Sequence, residues 1–251
     1  MVLADTPRRK LAIDLMNVEI LEDVDAAAKR GAEFVAAEAR RVVSERDRFT
    51  LALSGGSTPW LMIRALAEED VPWKHVHVLQ VDERVLPDGH PDRNLTHLRE
   101  KLLSTSGLPD AHLHAMPVRE EDLDDAAQTY ARILEELAGS PPALDLVHLG
   151  LGVDGHTASL VLRDPVLHVR DAYVSPTDSH LGRRRMTLTY PTLNRARQLL
   201  WLVTGKNKAQ MVRRLCDGDE SIPAGRVGSD QAFLIADRAA ASELKDAVVV
   251  E

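Results

Sequence analysis

Only one cysteine, Cys216, occurs in the 251 residues. No disulfide can form within the chain, and a reducing compartment suits it. Positive charge is also scarce. Lys and Arg number 31 against 39 Asp and Glu, for a formal net charge of −8. Such a chain has no global field to draw in nucleic acid or an anionic membrane. An anionic substrate would need its positive charge gathered locally in a pocket. Nowhere do about 18 apolar residues run together, so no membrane-spanning helix is expected. Met1 to Pro7 lacks the basic start and the apolar run of a secretory signal. The expectation is a cytoplasmic protein, a monomer or small homo-oligomer, with neither nucleic acid nor membrane as partner.

Motifs are missing too. The Ser54-Gly55-Gly56-Ser57 loop is neither Gly-x-x-x-x-Gly-Lys nor Gly-x-Gly-x-x-Gly, which disfavours nucleotide or dinucleotide binding there by the usual devices. His-Glu-x-x-His and Cys pairs are absent. Asp154, His156 and His90 could in principle converge on a metal, but nothing in their spacing demands it. No metal and no cofactor are expected. The Gly-x-Ser-x-Gly turn of many serine hydrolases is absent as well. Water activated directly by a base remains.

What is present alternates. Asp23 to about Glu45 shows apolar residues at helical spacing, among them Ala27, Ala28, Val35 and Val42. Thr50–Leu53 reads as a buried strand stopped by Ser54-Gly55-Gly56-Ser57, and Thr58-Pro59 as the cap and first turn of a helix running to about Glu69. Val76–Val81 is a second strand. Asn94 is expected to cap a helix through Leu102. Asp122 to Leu137 forms another helix, broken by Gly139-Ser140-Pro141-Pro142. Strands follow at Leu144–Leu149, Met186–Thr189, Leu199–Thr204 and Ala232–Ala236. A helix starts at Asn207, and a short one is capped by Asp237. The pattern predicts one α/β domain over residues 1–251, with a mostly parallel sheet flanked by helices.

In such sheets ligands bind beyond the carboxyl ends of the strands. Four polar groups fall there. Ser54, Gly55, Gly56, Ser57 and Thr58 offer N–H groups, hydroxyls and a helix N-terminus to an anion, though a tight turn explains them equally. Asp82 and Arg84 flank Glu83 and would share one face of an extended chain, suited to a sugar hydroxyl and an oxyanion, or to a plain surface ion pair. Gly150 through Leu160 sets Asp154 and His156 among three glycines, where a histidine titrating near neutrality can take a proton from water. Lys206 and Lys208 stand at a helix start, an unfavourable place for a cation without an anion nearby. Arg183-Arg184-Arg185 could send one guanidinium into the same pocket. His75, His77, His112, His114 and His180 read as structural or surface residues.

Together these segments resemble the 6-phosphogluconolactonases, of the group related to glucosamine-6-phosphate deaminases. The resemblance runs from about Leu51 to Asp237. It is carried by Leu53–Pro59, Val81–Arg84, Gly150–Leu160, Arg185–Thr189, Val203-Thr204-Gly205 with Lys208, and Pro223-Ala224. It implies a modified Rossmann-like fold, a sugar-phosphate substrate and lactone hydrolysis. His156 would be the general base, with Arg84 a candidate oxyanion donor. The glycine-serine loop, Arg185 and Lys208 would hold phosphate. Asp154 would orient the imidazole or hold the substrate. The chain departs from the family pattern at Val161-Leu162, where an aromatic and a proline are usual, at Arg93, where a serine is usual, and around Phe233, where a tryptophan is usual. The deaminases carry a glutamate five residues beyond the motif histidine, where this chain has Val161. A deaminase and a non-catalytic sugar-phosphate sensor are the competing readings.

Overall fold

The computed structural model describes residues 16–178, 182–228 and 230–244. His180 and Met1 to Pro7 lie outside the described residues. The strands are β1 (Asn17–Leu21), β2 (Phe49–Leu53), β3 (Val76–Gln80), β4 (Asp82–Arg84), β5 (Leu113–His114), β6 (Leu146–Leu149), β7 (Val174–Pro176), β8 (Arg185–Leu188), β9 (Leu199–Val203) and β10 (Ala232–Asp237). Seven of them form one sheet in the order β1-β10-β9-β6-β2-β3-β5. Every pairing in it is parallel. Every residue of β2, β6 and β9 is buried, as expected for parallel strands covered on both faces.

The chain lays down β2, β3 and β5 toward one edge, then returns to place β6 on the other side of β2 and continues outward through β9 and β10. The direction of winding therefore reverses between β2 and β6. At such a reversal the loops after two neighbouring strands diverge and leave a crevice.

The helices are α1 (Val24–Arg46), α2 (Ser57–Leu66), α3 (Asn94–Leu98), α4 (Leu123–Ala138), α5 (Tyr190–Leu193) and α6 (Ala209–Cys216). The apolar stripe of α1 packs with Met62, Ile63 and Leu66 of α2 against Leu51, Leu53, Leu200 and Leu202. On the opposite face, Tyr130 and Leu134 of α4 and Val212 and Leu215 of α6 cover Ala52, Val147, Leu149 and Trp201. Asp23 caps α1 by accepting the Ala26 N–H at 2.8 Å, and Asp122 caps α4 through the N–H groups of Asp124 and Asp125. No described helix is long and apolar enough to cross a membrane.

Four sequence expectations change. The Met186–Thr189 segment does not join the parallel sheet. As β8 it pairs antiparallel with β4 and β7 in a separate three-stranded sheet. Thr58 is not the cap of α2, which starts two residues earlier than expected, at Ser57 after Gly56. Asn94 is the first residue of α3 rather than its cap, and the helix passes into a π-turn at Arg99–Leu103. Asp237 caps a run of turns, not a helix, and holds Gly205 N–H at 3.0 Å and Ala240 N–H at 2.7 Å. Local signals located the segments. Pairing partners and caps depended on groups far away in sequence.

Candidate active site

At the reversal between β2 and β6 lies a cleft of about 410 Å³. Ser54, Gly55, Gly56, Ser57 and Thr58 line it after β2, and Asp82 and Arg84 line it from β4. Gly150, Gly152 and His156 enter after β6, Arg185 from β8, and Thr204 and Lys208 after β9. All four polar strand ends thus converge. Of the proposed site residues, Asp154 alone is not in the lining, and it stands directly behind His156. Lys206 is not in the lining either, and Arg183 pairs with Asp92 instead. His90 accepts the Asp92 N–H at 3.0 Å within its own loop. Among the described residues no group of three His, Cys, Asp or Glu side chains is placed to hold a metal ion.

The Asp154-Gly155-His156 turn is held tightly. Gly152 N–H donates to the His156 carbonyl at 2.7 Å, and Gly155 N–H to the Gly152 carbonyl at 3.1 Å. Gly155 has φ +83, a left-handed conformation that suits glycine, and an added Cβ would fall 2.7 Å from Ile222. At Gly152 a Cβ would run into the His156 ring and the Asp154 carboxylate. The imidazole therefore occupies space that only glycine leaves open.

Asp154 Oδ1 accepts from His156 Nδ1 at 2.5 Å and from the His156 N–H at 3.2 Å. Partial burial pushes the Asp154 carboxyl up, but the charge and hydrogen bonds of His156 outweigh this and hold it below its ordinary value. An ionised carboxylate accepts only, so Nδ1 carries the proton. In the neutral ring Nε2 is then the basic nitrogen. Across the cleft, burial lowers the Lys208 ammonium while Asp154 opposes it. Burial also lowers the Arg185 guanidinium, with Asp82 raising it and Arg84 and Arg183 lowering it further. Cations kept this way gain by meeting an anion, because desolvation penalises an unpaired charge.

Asp82 and Arg84 face the cleft as the strand spacing predicts, yet they form no ion pair with each other. Arg84 donates to the Asp92 carbonyl at 2.6 Å and to Asn94 Oδ1 at 3.1 Å. Asp82 accepts from Ser159 Oγ at 2.6 Å and from Asn94 Nδ2 at 3.3 Å. Arg185 Nη1 reaches Ser159 Oγ at 3.5 Å, and its buried Nε has no hydrogen-bond partner among the described residues.

Sequence reasoning missed Asn94 and Ser159 as site residues. It also missed Glu83, whose fully buried carboxylate accepts from the N–H groups of Arg84, Asn94 and Leu95 at 2.8–2.9 Å. That carboxylate sits on the first turn of α3, where the helix dipole favours it, and so fixes Asn94. Arg93, the departure from the family pattern, is buried and reaches Glu83 Oε2 at 3.4 Å while also pairing with Asp88. Only the run of Asp-Glu-Arg followed by a cap-like Asn hinted at this network.

The comparisons agree with this geometry. The family model described as glucosamine-6-phosphate isomerases/6-phosphogluconolactonase matches residues 22–235. A 6-phosphogluconolactonase of Synechocystis sp. is 38% identical over 195 residues, covering 76% of this chain and 81% of the relative. One of Mycobacterium tuberculosis is 32% identical over 242 residues, covering 91% and 98%. The crystal structure of 6-phosphogluconolactonase from Thermotoga maritima superposes with a TM-score of 0.79 at 28% identity, over 88% of this chain and 99% of that one. A monomeric glucosamine-6-phosphate deaminase superposes with a TM-score of 0.80 over 91% of this chain and all of its own, but at 19% identity, and shows the fold alone. With the model spanning most of its length and relatives above 30% identity aligned over nearly all of it, the chain belongs to the glucosamine-6-phosphate isomerase/6-phosphogluconolactonase family.

Proposed function

We propose that this chain hydrolyses 6-phospho-D-glucono-1,5-lactone to 6-phospho-D-gluconate, in the oxidative pentose phosphate pathway. The observation that carries the reading is the Asp154–His156 pair, 2.5 Å apart, set in one cleft with Arg84, Arg185 and Lys208.

In this reading Asp154 fixes the ring so that His156 Nε2 takes a proton from water. The water oxygen bonds to the lactone carbonyl carbon, and its carbonyl oxygen becomes an oxyanion near Arg84. Collapse of this tetrahedral species breaks the bond to the ring oxygen. The imidazolium returns its proton to that oxygen, and the product is the open acid. Ser54, Gly55, Gly56, Ser57 and Thr58, at the N-terminus of α2, hold the phosphate together with Arg185 and Lys208. Asp82, itself oriented by Ser159 and Asn94, faces the sugar hydroxyls.

A rapid pH-coupled assay with freshly generated lactone, corrected for spontaneous opening, tests the reaction. His156→Ala is expected to lose about 10²–10⁴-fold in kcat, the usual contribution of a general base, while keeping product binding. Near-wild-type turnover in that variant would remove His156 from the role.

The family also contains deaminases acting on glucosamine 6-phosphate. Position 161, where those enzymes carry a glutamate, is here a buried valine that cannot titrate. Ammonia release from glucosamine 6-phosphate would reverse the choice between the two. A sugar-phosphate sensor would instead bind phosphate esters equally with and without His156, and would open no lactone.

A further inference from the structure

Away from the cleft, a second hollow of about 440 Å³ is lined by Arg170, Tyr190, Pro191, Asn194, Arg195 and Arg226. Three guanidiniums share it, and no Asp or Glu is in the lining. This is unusual company in a chain with net charge −8. Elsewhere several of its arginines meet acids, as Arg30 does with Glu19 and Arg214 with Asp219.

These three arginines are instead held by neutral acceptors. Arg170 Nη1 donates to the carbonyls of Leu167 and Val169, both at 2.9 Å, and its guanidinium lies 5.8 Å from the centre of the Tyr190 ring. Arg195 Nη1 donates to the Pro191 carbonyl at 2.9 Å, and Arg226 Nε to the Glu220 carbonyl at 2.7 Å. Among the described residues none of the three forms an ion pair. Burial pushes the Tyr190 phenol up to about 12, with Arg226 and Arg170 both opposing, so two of the guanidiniums act on one ring. Carbonyl anchors orient guanidinium forks without cancelling their charge, and each retains N–H donors. That arrangement suits a multiply charged oxyanion, because such forks match phosphate oxygens in pairs.

The hollow also lies behind the catalytic turn. Tyr190 Oη donates to the Pro223 carbonyl at 2.9 Å. The next residue, Ala224, donates its N–H to the Gly155 carbonyl at 3.0 Å, and Ile222 packs against Gly155. Arg226 ends the same short helical turn, Ala224–Arg226.

We propose that this hollow is a second anion site, which takes a diphosphate group and reports its occupancy to the His156 turn through Tyr190, Pro223 and Ala224. Three cations fit the charge of a diphosphate better than that of a single phosphate ester. The site is separate from the lactone cleft and does not depend on the reaction assigned to it.

The test is titration calorimetry with inorganic pyrophosphate at fixed ionic strength. The three proteins are the wild type, Arg170→Gln/Arg226→Gln, and Arg185→Ala/Lys208→Ala. The expected result is at least tenfold weaker binding in Arg170→Gln/Arg226→Gln, with its circular dichroism and lactone KM unchanged, and unaltered binding in Arg185→Ala/Lys208→Ala. Equal affinity in all three proteins, or loss only in the cleft variant, would overturn the site. Adenosine diphosphate binding as tightly as pyrophosphate would assign the site to a nucleotide, and weaker binding to the free ion; either supports it. Saturating pyrophosphate should change the wild-type kcat by twofold or more and leave Arg170→Gln/Arg226→Gln unaffected. An unmoved wild-type kcat would overturn the link to the turn.

Discussion

Ser159 Oγ donates to Asp82 Oδ2 at 2.6 Å across 77 residues of sequence, with Ser159 fully buried. Asp82 begins β4, and Ser159 follows the Asp154-Gly155-His156 turn. Their bond ties the carboxylate proposed to face the sugar to the loop that carries His156. The Ser159 hydroxyl also meets Arg185, so one small side chain sets two charged groups. A buried hydrogen bond to a charged group contributes about 1.5–3 kcal/mol. Ser159→Ala should therefore weaken kcat/KM by roughly tenfold to a hundredfold. The loss should fall mainly on KM, and Ser159→Thr should restore part of it. A kcat/KM unchanged in Ser159→Ala would show that the pair is only a packing contact.

Arg185 and Lys208 are both half-buried, and burial lowers the pKa of each. If they hold phosphate, Arg185→Ala and Lys208→Ala should each raise KM for the phosphorylated lactone by tenfold or more. Turnover of unphosphorylated gluconolactone should change far less. Equal losses on both substrates would place these cations at the reacting carbonyl instead.

Gly152 supplies the space in which the Asp154–His156 pair sits. Gly152→Ala should displace the imidazole and lower kcat by about 10²-fold or more, the scale of a lost general base. The thermal midpoint should move little, because the turn is at the surface of the cleft rather than in the core. A variant with normal kcat would mean that the ring has a second productive position.

His148 on β6 is fully buried beneath the glycine-serine loop, and Ser54 Oγ donates to its carbonyl at 3.0 Å. Burial pushes its imidazole down to about 3. The unfolded chain has an ordinary histidine near 6.5. The contribution of His148 to stability is therefore complete above that value and is lost as pH falls from about 6.5 toward 3, since only the unfolded state takes up the proton. Urea midpoints should decline from pH 7.5 to pH 5. In His148→Asn the decline should be shallower, whatever the variant's stability at pH 7.5. An identical slope would show that other groups govern acid sensitivity.

The cleft is largely legible in the sequence. Short apolar runs ending in Ser-Gly-Gly-Ser, Asp-Glu-Arg, Asp-Gly-His and Thr-Gly-Lys mark strand ends, because glycine and polar residues cannot continue a buried parallel strand. Asn94 and Ser159 were hidden because their roles lie in what their side chains touch, and neither contact is local. Lys206 and Lys208 show the same limit. They differ by two positions, and only the path of the chain after β9 sends one into the cleft.

The sequence by itself determined the alternation of elements, the absence of a disulfide and the turn that carries His156. Each follows from residue spacing or from conformations open only to glycine. The tertiary structure alone decided where the winding reverses between β2 and β6, that β8 leaves the parallel sheet to pair with β4, and that Glu83 holds α3 in place. It also gathered Arg170, Arg195 and Arg226 around one hollow behind the His156 turn. Those outcomes depend on pairings between distant segments, whose energies are settled only when the whole core closes.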